Sequence, residues 1–177
     1  MGRTKRILPQ INIWGWNILI FVTVGSQKFQ FNRILIEIDR LIEEGKITKD
    51  LVFAQIGYST YEPRNYKSVN FLNKSEFHDI IKNSDIVISH GGTGSIINSV
   101  KKGKKVIGIP RRAEYGEHVD NHQMDIINEF SDSNFIYPVY EVEELEKALD
   151  QINNVEFKKY ISNTSSIVNI IEEFING

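Results

Sequence analysis

Apolar residues along this chain fall into two alternating rhythms. Short runs of β-branched and aromatic residues end at glycine, proline or a polar cluster, and stretches with apolar residues every three or four positions lie between them. Ile18-Leu19-Ile20-Phe21-Val22-Thr23-Val24, stopped by Gly25, reads as a strand buried on both faces of a parallel sheet. Phe31 to Lys46 carries Ile34, Leu35, Ile38, Leu41 and Ile42 on one helical stripe. The same alternation predicts strands at Leu51 to Ile56, Ser68 to Leu72, Ile86 to Ile88, Lys105 to Ile109 and Phe135 to Val139. Helices are expected at Ser75 to Asn83, Gly94 to Lys102, about Val119 to Phe130, Val142 to Ile152 and, last, Phe157 to Phe174. Strands and helices in this order imply right-handed crossovers and one doubly wound, mostly parallel α/β sheet of Rossmann-like form over residues 18–177. Residues 1–17 stand outside that pattern. Their basic start, Gly2-Arg3-Thr4-Lys5-Arg6, and the later Trp14-Gly15-Trp16 suit either a loosely ordered extension or a segment that touches a membrane interface or partner.

Composition narrows the class only a little. A length of 177 residues suits one domain. A net charge of −2 lacks the basic excess of a nucleic-acid surface, so no nucleic-acid partner is expected. The absence of cysteine excludes disulfides and thiolate metal sites and fits a reducing cytoplasm. No run approaches the roughly 18 apolar residues that span a bilayer.

Candidate chemistry sits in three strand-to-helix loops, where ligands of such folds bind. In Thr23-Val24-Gly25-Ser26-Gln27, Gly25 allows close approach of a ligand and Ser26 supplies a hydroxyl; a plain turn with a helix cap explains the same residues. In His90-Gly91-Gly92-Thr93-Gly94-Ser95, three glycines at a helix start suggest a nest of backbone N–H groups for an anion, with Thr93 and Ser95 adding hydroxyls. His90 reads either as a donor to phosphate or as a core histidine. The loop is neither the dinucleotide G-x-G-x-x-G fingerprint nor a Walker A motif. The third loop crowds Arg111, Arg112, Glu117, His118, Asn121, His122 and Gln123 together. Paired donors and acceptors suit sugar and ribose hydroxyls, and Arg111 or Arg112 suits a diphosphate. His118 and His122 lack a third ligand at zincin spacing, so no metal and no cofactor are expected.

Taken together, Val22-Thr23-Val24-Gly25-Ser26, Ser89-His90-Gly91-Gly92-Thr93-Gly94-Ser95 and Gly116-Glu117-His118-Val119-Asp120-Asn121-His122-Gln123 resemble the C-terminal, family 28-type domain of GT-B glycosyltransferases. They are similar above all to small catalytic subunits of split transferases, both eukaryotic dolichol-pathway and bacterial capsule or exopolysaccharide enzymes. The resemblance implies an inverting transferase that moves a sugar from a UDP-sugar donor to a polyprenyl-diphosphate-linked acceptor. Galactose or glucose and surface-polysaccharide synthesis are the expected variant. It implies that Gly25 and Ser26 lie at the donor cleft, that His90, Gly92, Thr93, Gly94 and Ser95 hold the diphosphate, and that Glu117, Asn121 and Gln123 meet hydroxyls; the loops themselves add Gly91 and Arg111 to the expected donor site. His118 or Glu117 is the expected base. A whole GT-B enzyme has two such domains, so the acceptor half is expected on a separate membrane-anchored subunit that holds this chain at the cytoplasmic membrane face. The alternatives are a non-catalytic interaction module and an epimerase-like nucleotide-sugar domain.

Overall fold

The computed structural model describes residues 20–160. Six parallel strands form one sheet: β1 (Ile20–Thr23), β2 (Val52–Gln55), β3 (Lys67–Val69), β4 (Ile86–His90), β5 (Lys105–Ile109) and β6 (Tyr137–Pro138). Their spatial order is β3-β2-β1-β4-β5-β6. The chain therefore walks outward from β1 to β3, returns to the centre, and walks outward again from β4 to β6. The reversal falls between β1 and β4, where Thr23 lies opposite Ser89. At such a switch point the two flanking loops diverge and leave a crevice beyond the strand ends.

Side-chain alternation in the strands sorts the core into two layers. Ile20, Val22, Ala54, Ile88 and Ile107 face α1 (Asn32–Glu43) and α5 (Leu145–Gln151). Phe21, Phe53, Val87 and Val106 face α2 (Lys74–Asn83), α3 (Thr93–Lys101) and α4 (His122–Asp132). α1 buries Ile34, Leu35, Ile38 and Leu41, the stripe expected from its spacing. A capping box starts α2: the Asn73 side chain accepts from the Glu76 amide and the Glu76 carboxylate accepts from the Asn73 amide.

Several expected boundaries move. The predicted helix from Val119 begins only at His122, because residues 116–121 form a loop. Gly116 takes a left-handed φ of 65°, and the Asp120 carboxylate accepts the His122 amide at 3.1 Å. The sixth strand shortens to an edge pair ending at Pro138, which has no N–H to extend the ladder. The expected helix at 142–152 keeps α-geometry only over Leu145–Gln151, with tight 3₁₀ turns at both ends. Residues 155–160 carry no helix, and the remainder of the last predicted helix, like the 1–17 extension, lies outside the described residues.

Candidate functional site

Beyond the C-terminal ends of β1, β2 and β4 opens a cleft of about 570 Å³. One wall is the β1–α1 loop, Gly25 to Gln27; the facing wall is the turn from His90 into α3. Leu72, Asn73, Phe77 and His78 close one side, and His118, His122 and Gln123 close the other. Of the residues singled out in the sequence, Gly25, Ser26, His90, Gly91, Gly92, Thr93, Gly94, Ser95, His118, His122 and Gln123 meet here. Arg111, Arg112, Glu117 and Asn121 do not line the cleft.

The four glycines serve different ends. Gly25 has a φ of +80°, open to glycine at little cost, and a Cβ there would lie 2.5 Å from His90 Cε1. Gly92 has an ordinary φ of −83°, but its Cβ would lie 2.7 Å from the same carbon. The His90 ring is thus clamped between two glycines. At Gly91 a Cβ would meet the Gln123 Cβ and carbonyl oxygen at 2.6 Å, so that glycine lets α4 pack close. Gly94 alone has open space where its side chain would be. It follows Thr93 in the first turn of α3, where the leading N–H groups have no intrahelical acceptor and the helix dipole favours an anion. Nothing in the protein itself requires glycine there.

His90 departs from the expectation that it donates to phosphate. Its Nδ1 lies 3.2 Å from the Thr23 carbonyl oxygen, which can only accept, so the proton is on Nδ1 and Nε2 presents a lone pair. Burial, reinforced by the nearby Arg111 charge, pushes the His90 pKa down to about 4, and the hydrogen bond to Thr23 offsets only part of this. The ring is neutral at physiological pH. Ser95 is also partly spent. Ser89 Oγ donates to the His90 carbonyl at 2.9 Å, so the Ser95 proton goes to Ser89 Oγ or to the Gly92 carbonyl. Thr93 keeps a hydroxyl without a protein partner among the described residues.

Glu117, expected as base or hydroxyl acceptor, is 1% exposed. Its carboxylate takes Arg33 Nε at 2.8 Å and the Arg112 amide at 3.0 Å, which ties the third loop to α1. Asn121 accepts the Ala113 amide at 3.0 Å and closes the loop on itself. Arg111 is fully buried; its Nη2 donates to the carbonyls of Val24 and Phe29, holding the β1–α1 loop from behind. Gln123 stays at the cleft with its carbonyl engaged by the Arg111 amide at 3.2 Å, leaving its amide nitrogen available. His118 remains a candidate base by geometry. Its Nδ1 lies 2.9 Å from Asp120 Oδ1 and 3.3 Å from the Asp120 amide nitrogen, so Asp120 fixes the ring, and with the Nδ1 proton given to the carboxylate, Nε2 is the nitrogen that can accept.

Sequence reasoning missed Gln55, which lines the cleft floor beside Thr23. Gln55, Thr23 and Ser89 stand side by side on β2, β1 and β4, polar residues at the ends of apolar runs, with Ser89 behind the cleft surface. Thr23 Oγ1 is buried without a hydrogen-bond partner. A polar residue closing each apolar strand was the available signal. Among the described residues, no group of three or more His, Cys, Asp or Glu is placed to hold a metal ion, and no helix is long and apolar enough to cross a membrane.

A parallel sheet in this order, with a glycine-started helix at its switch point, is the architecture of GT-B sugar-transfer domains. The chain belongs to the family described as the glycosyltransferase family 28 C-terminal domain, whose model matches residues 19–175. The UDP-N-acetylglucosamine transferase subunit ALG13 of Kluyveromyces lactis is 42% identical over 92 residues, 49% of this chain and 44% of that protein. Its Candida albicans counterpart is 29% identical over 114 residues, 64% and 37% of the two chains. The chain thus spans less than half the length of these curated relatives. Among solved structures, that of ALG13 aligns at a TM-score of 0.59 with 20% identity, covering 90% of this chain and 98% of that one. A UDP-GlcNAc 2-epimerase from Methanocaldococcus jannaschii aligns at 0.58 with 16% identity, over 92% and 46%. At such identities the likeness speaks for the fold.

Proposed function

We propose that this chain is the donor-binding subunit of an inverting glycosyltransferase that uses a UDP-sugar. The observation that carries the reading is Gly94, a glycine with open space around it in the first turn of α3, at the switch point of a family 28 domain. The diphosphate lies against the Thr93, Gly94 and Ser95 amides, where a side chain at position 94 would stand in its way. Developing negative charge on the departing UDP is met by these amides, the helix dipole and the Thr93 hydroxyl. The acceptor hydroxyl attacks the anomeric carbon as the bond from that carbon to the phosphate oxygen breaks. His118 Nε2, with Nδ1 held by Asp120, takes the acceptor proton, and UDP leaves. Glu117, buried in its ion pair, is excluded from that step.

The sugar we assign is N-acetylglucosamine, in place of the galactose or glucose expected above, because the curated relatives are named for that transfer. For the same reason a capsule or exopolysaccharide role recedes. The acceptor is a polyprenyl-diphosphate-linked sugar, and a membrane-anchored partner supplies the acceptor half and holds the chain at the cytoplasmic membrane face. The relatives' naming as subunits supports a partner.

Calorimetric titration of UDP into the wild-type chain and the Gly94→Val variant tests the reading. Binding to the wild type, lost in a variant that melts at the same temperature, is expected. Equal binding by both would remove the α3 turn as the diphosphate site.

A further inference from the structure

Charge is unbalanced beneath the β1–α1 loop. The guanidinium carbons of Arg33 and Arg111 lie 5.0 and 5.8 Å from the centre of the same ring, Phe31. One carboxylate, Glu117, serves both, and its oxygens are already taken by Arg33 Nε and the Arg112 amide. Arg112 is answered elsewhere, by Glu114 and Glu141. Arg111 is fully buried, its side chain hydrogen-bonds the carbonyls of Val24 and Phe29, and Nε and Nη1 have no hydrogen-bond partner among the described residues. A buried cation left in this state is costly unless something completes it. His90, which lines the cleft, feels the Arg111 charge.

Building on the donor reading above, we infer that Arg111 is a positioning residue whose charge, left without a carboxylate of its own by Glu117's engagement with Arg33, favours the diphosphate of the bound nucleotide through the loop. Arg111 touches no ligand. It acts across the Val24–Phe29 segment that forms one wall of the cleft, where the intervening medium is protein and screening by water is weak. The same bonds brace that segment, so a structural role and an electrostatic role must be separated. Their signatures differ. A brace affects every ligand of the cleft alike, whereas the charge favours anionic ligands only. The charge account also fixes a sign for Glu117, since removing its carboxylate makes the pocket more positive although it removes an ion pair.

The test is a titration of the wild type, Arg111→Met and Glu117→Gln with UDP and, separately, with uridine, followed by amide chemical shifts so that weak binding is measurable. Arg111→Met should weaken UDP about tenfold, the size of a partly screened charge interaction, and leave uridine within about twofold. Glu117→Gln should bind UDP several-fold more tightly, with uridine unchanged. Equal weakening of both ligands in Arg111→Met, or weaker UDP binding in Glu117→Gln, overturns the inference and leaves the donor reading standing. If Arg111→Met does not fold, the sign of the Glu117→Gln change decides alone. A wild type that binds uridine and UDP equally, or neither, overturns the donor reading and this inference together.

Discussion

Adding one methyl group at Gly92 tests what the glycines around His90 do. The backbone at Gly92 is in an ordinary region, φ −83° and ψ 114°, so alanine carries no conformational penalty there. The cost is steric: the new Cβ would stand 2.7 Å from His90 Cε1. The ring cannot turn away, because Gly25 closes its other side and Nδ1 is bonded to Thr23. Overpacking of this kind costs about 1–3 kcal/mol. For a chain of this length, about 2 kcal/mol lowers Tm by roughly 4–8 °C. His90→Ala alone leaves a cavity and costs on the order of 2–3 kcal/mol, but it also removes the obstacle. The double variant His90→Ala/Gly92→Ala should therefore be about as stable as His90→Ala. Guanidinium unfolding of the four proteins measures this directly. Gly94→Ala, two residues away, is the control: its Cβ meets nothing, so Tm should hold or rise. Costs for Gly92→Ala and His90→Ala that add within about 0.5 kcal/mol would refute the clamp.

Three further outcomes follow from the site. With the His90 pKa at about 4 in the fold and about 6.5 unfolded, the unfolded chain binds the extra proton between those values. Stability from this group is therefore complete above about pH 6.5 and falls by about 3 kcal/mol as pH drops to about 4; His90→Asn should lose that part of the pH slope in denaturant melts. Thr23→Val replaces a buried hydroxyl that lacks a partner by a methyl of similar size and should stabilise the chain by about 1 kcal/mol, read as a higher denaturant midpoint. His118→Ala, assayed with the full transferase complex, should lower kcat by about 10²–10⁴-fold while UDP affinity changes little; an unchanged kcat removes it as the base.

Much of the architecture was legible because it rests on local periodicity. The β-branched run ending at Gly25 and the Ile34–Leu35–Ile38–Leu41 stripe each specify an element without reference to the rest of the chain. The glycine cluster marked the α3 turn in the sequence, but the structure gives Gly91 to the approach of Gln123 and Gly92 to the His90 ring, and leaves only Gly94 of the three with open space. The third loop was not legible. Glu117 and Arg111 have the residue types of a sugar site, yet whether a polar side chain faces a cleft or an ion pair depends on partners far along the chain, here Arg33, Val24 and Phe29. The role of Gly92 was hidden for the same reason, since the ring it accommodates is held by a carbonyl on β1. The row of Gln55, Thr23 and Ser89 appears only once the register of β2, β1 and β4 is known.

The central claim is that the first turn of α3 and the β1–α1 loop hold the diphosphate of a nucleotide sugar. Its most direct test is a ¹⁵N-resolved titration of the chain with UDP-N-acetylglucosamine. The account predicts that the largest saturable shifts fall on the amides of Thr93, Gly94 and Ser95, with Gly25, Ser26 and Gln27 following. Shifts concentrated at the opposite edge of the sheet, around Gly45 and Gly103, would contradict it, as would a saturable response that leaves Gly94 unmoved.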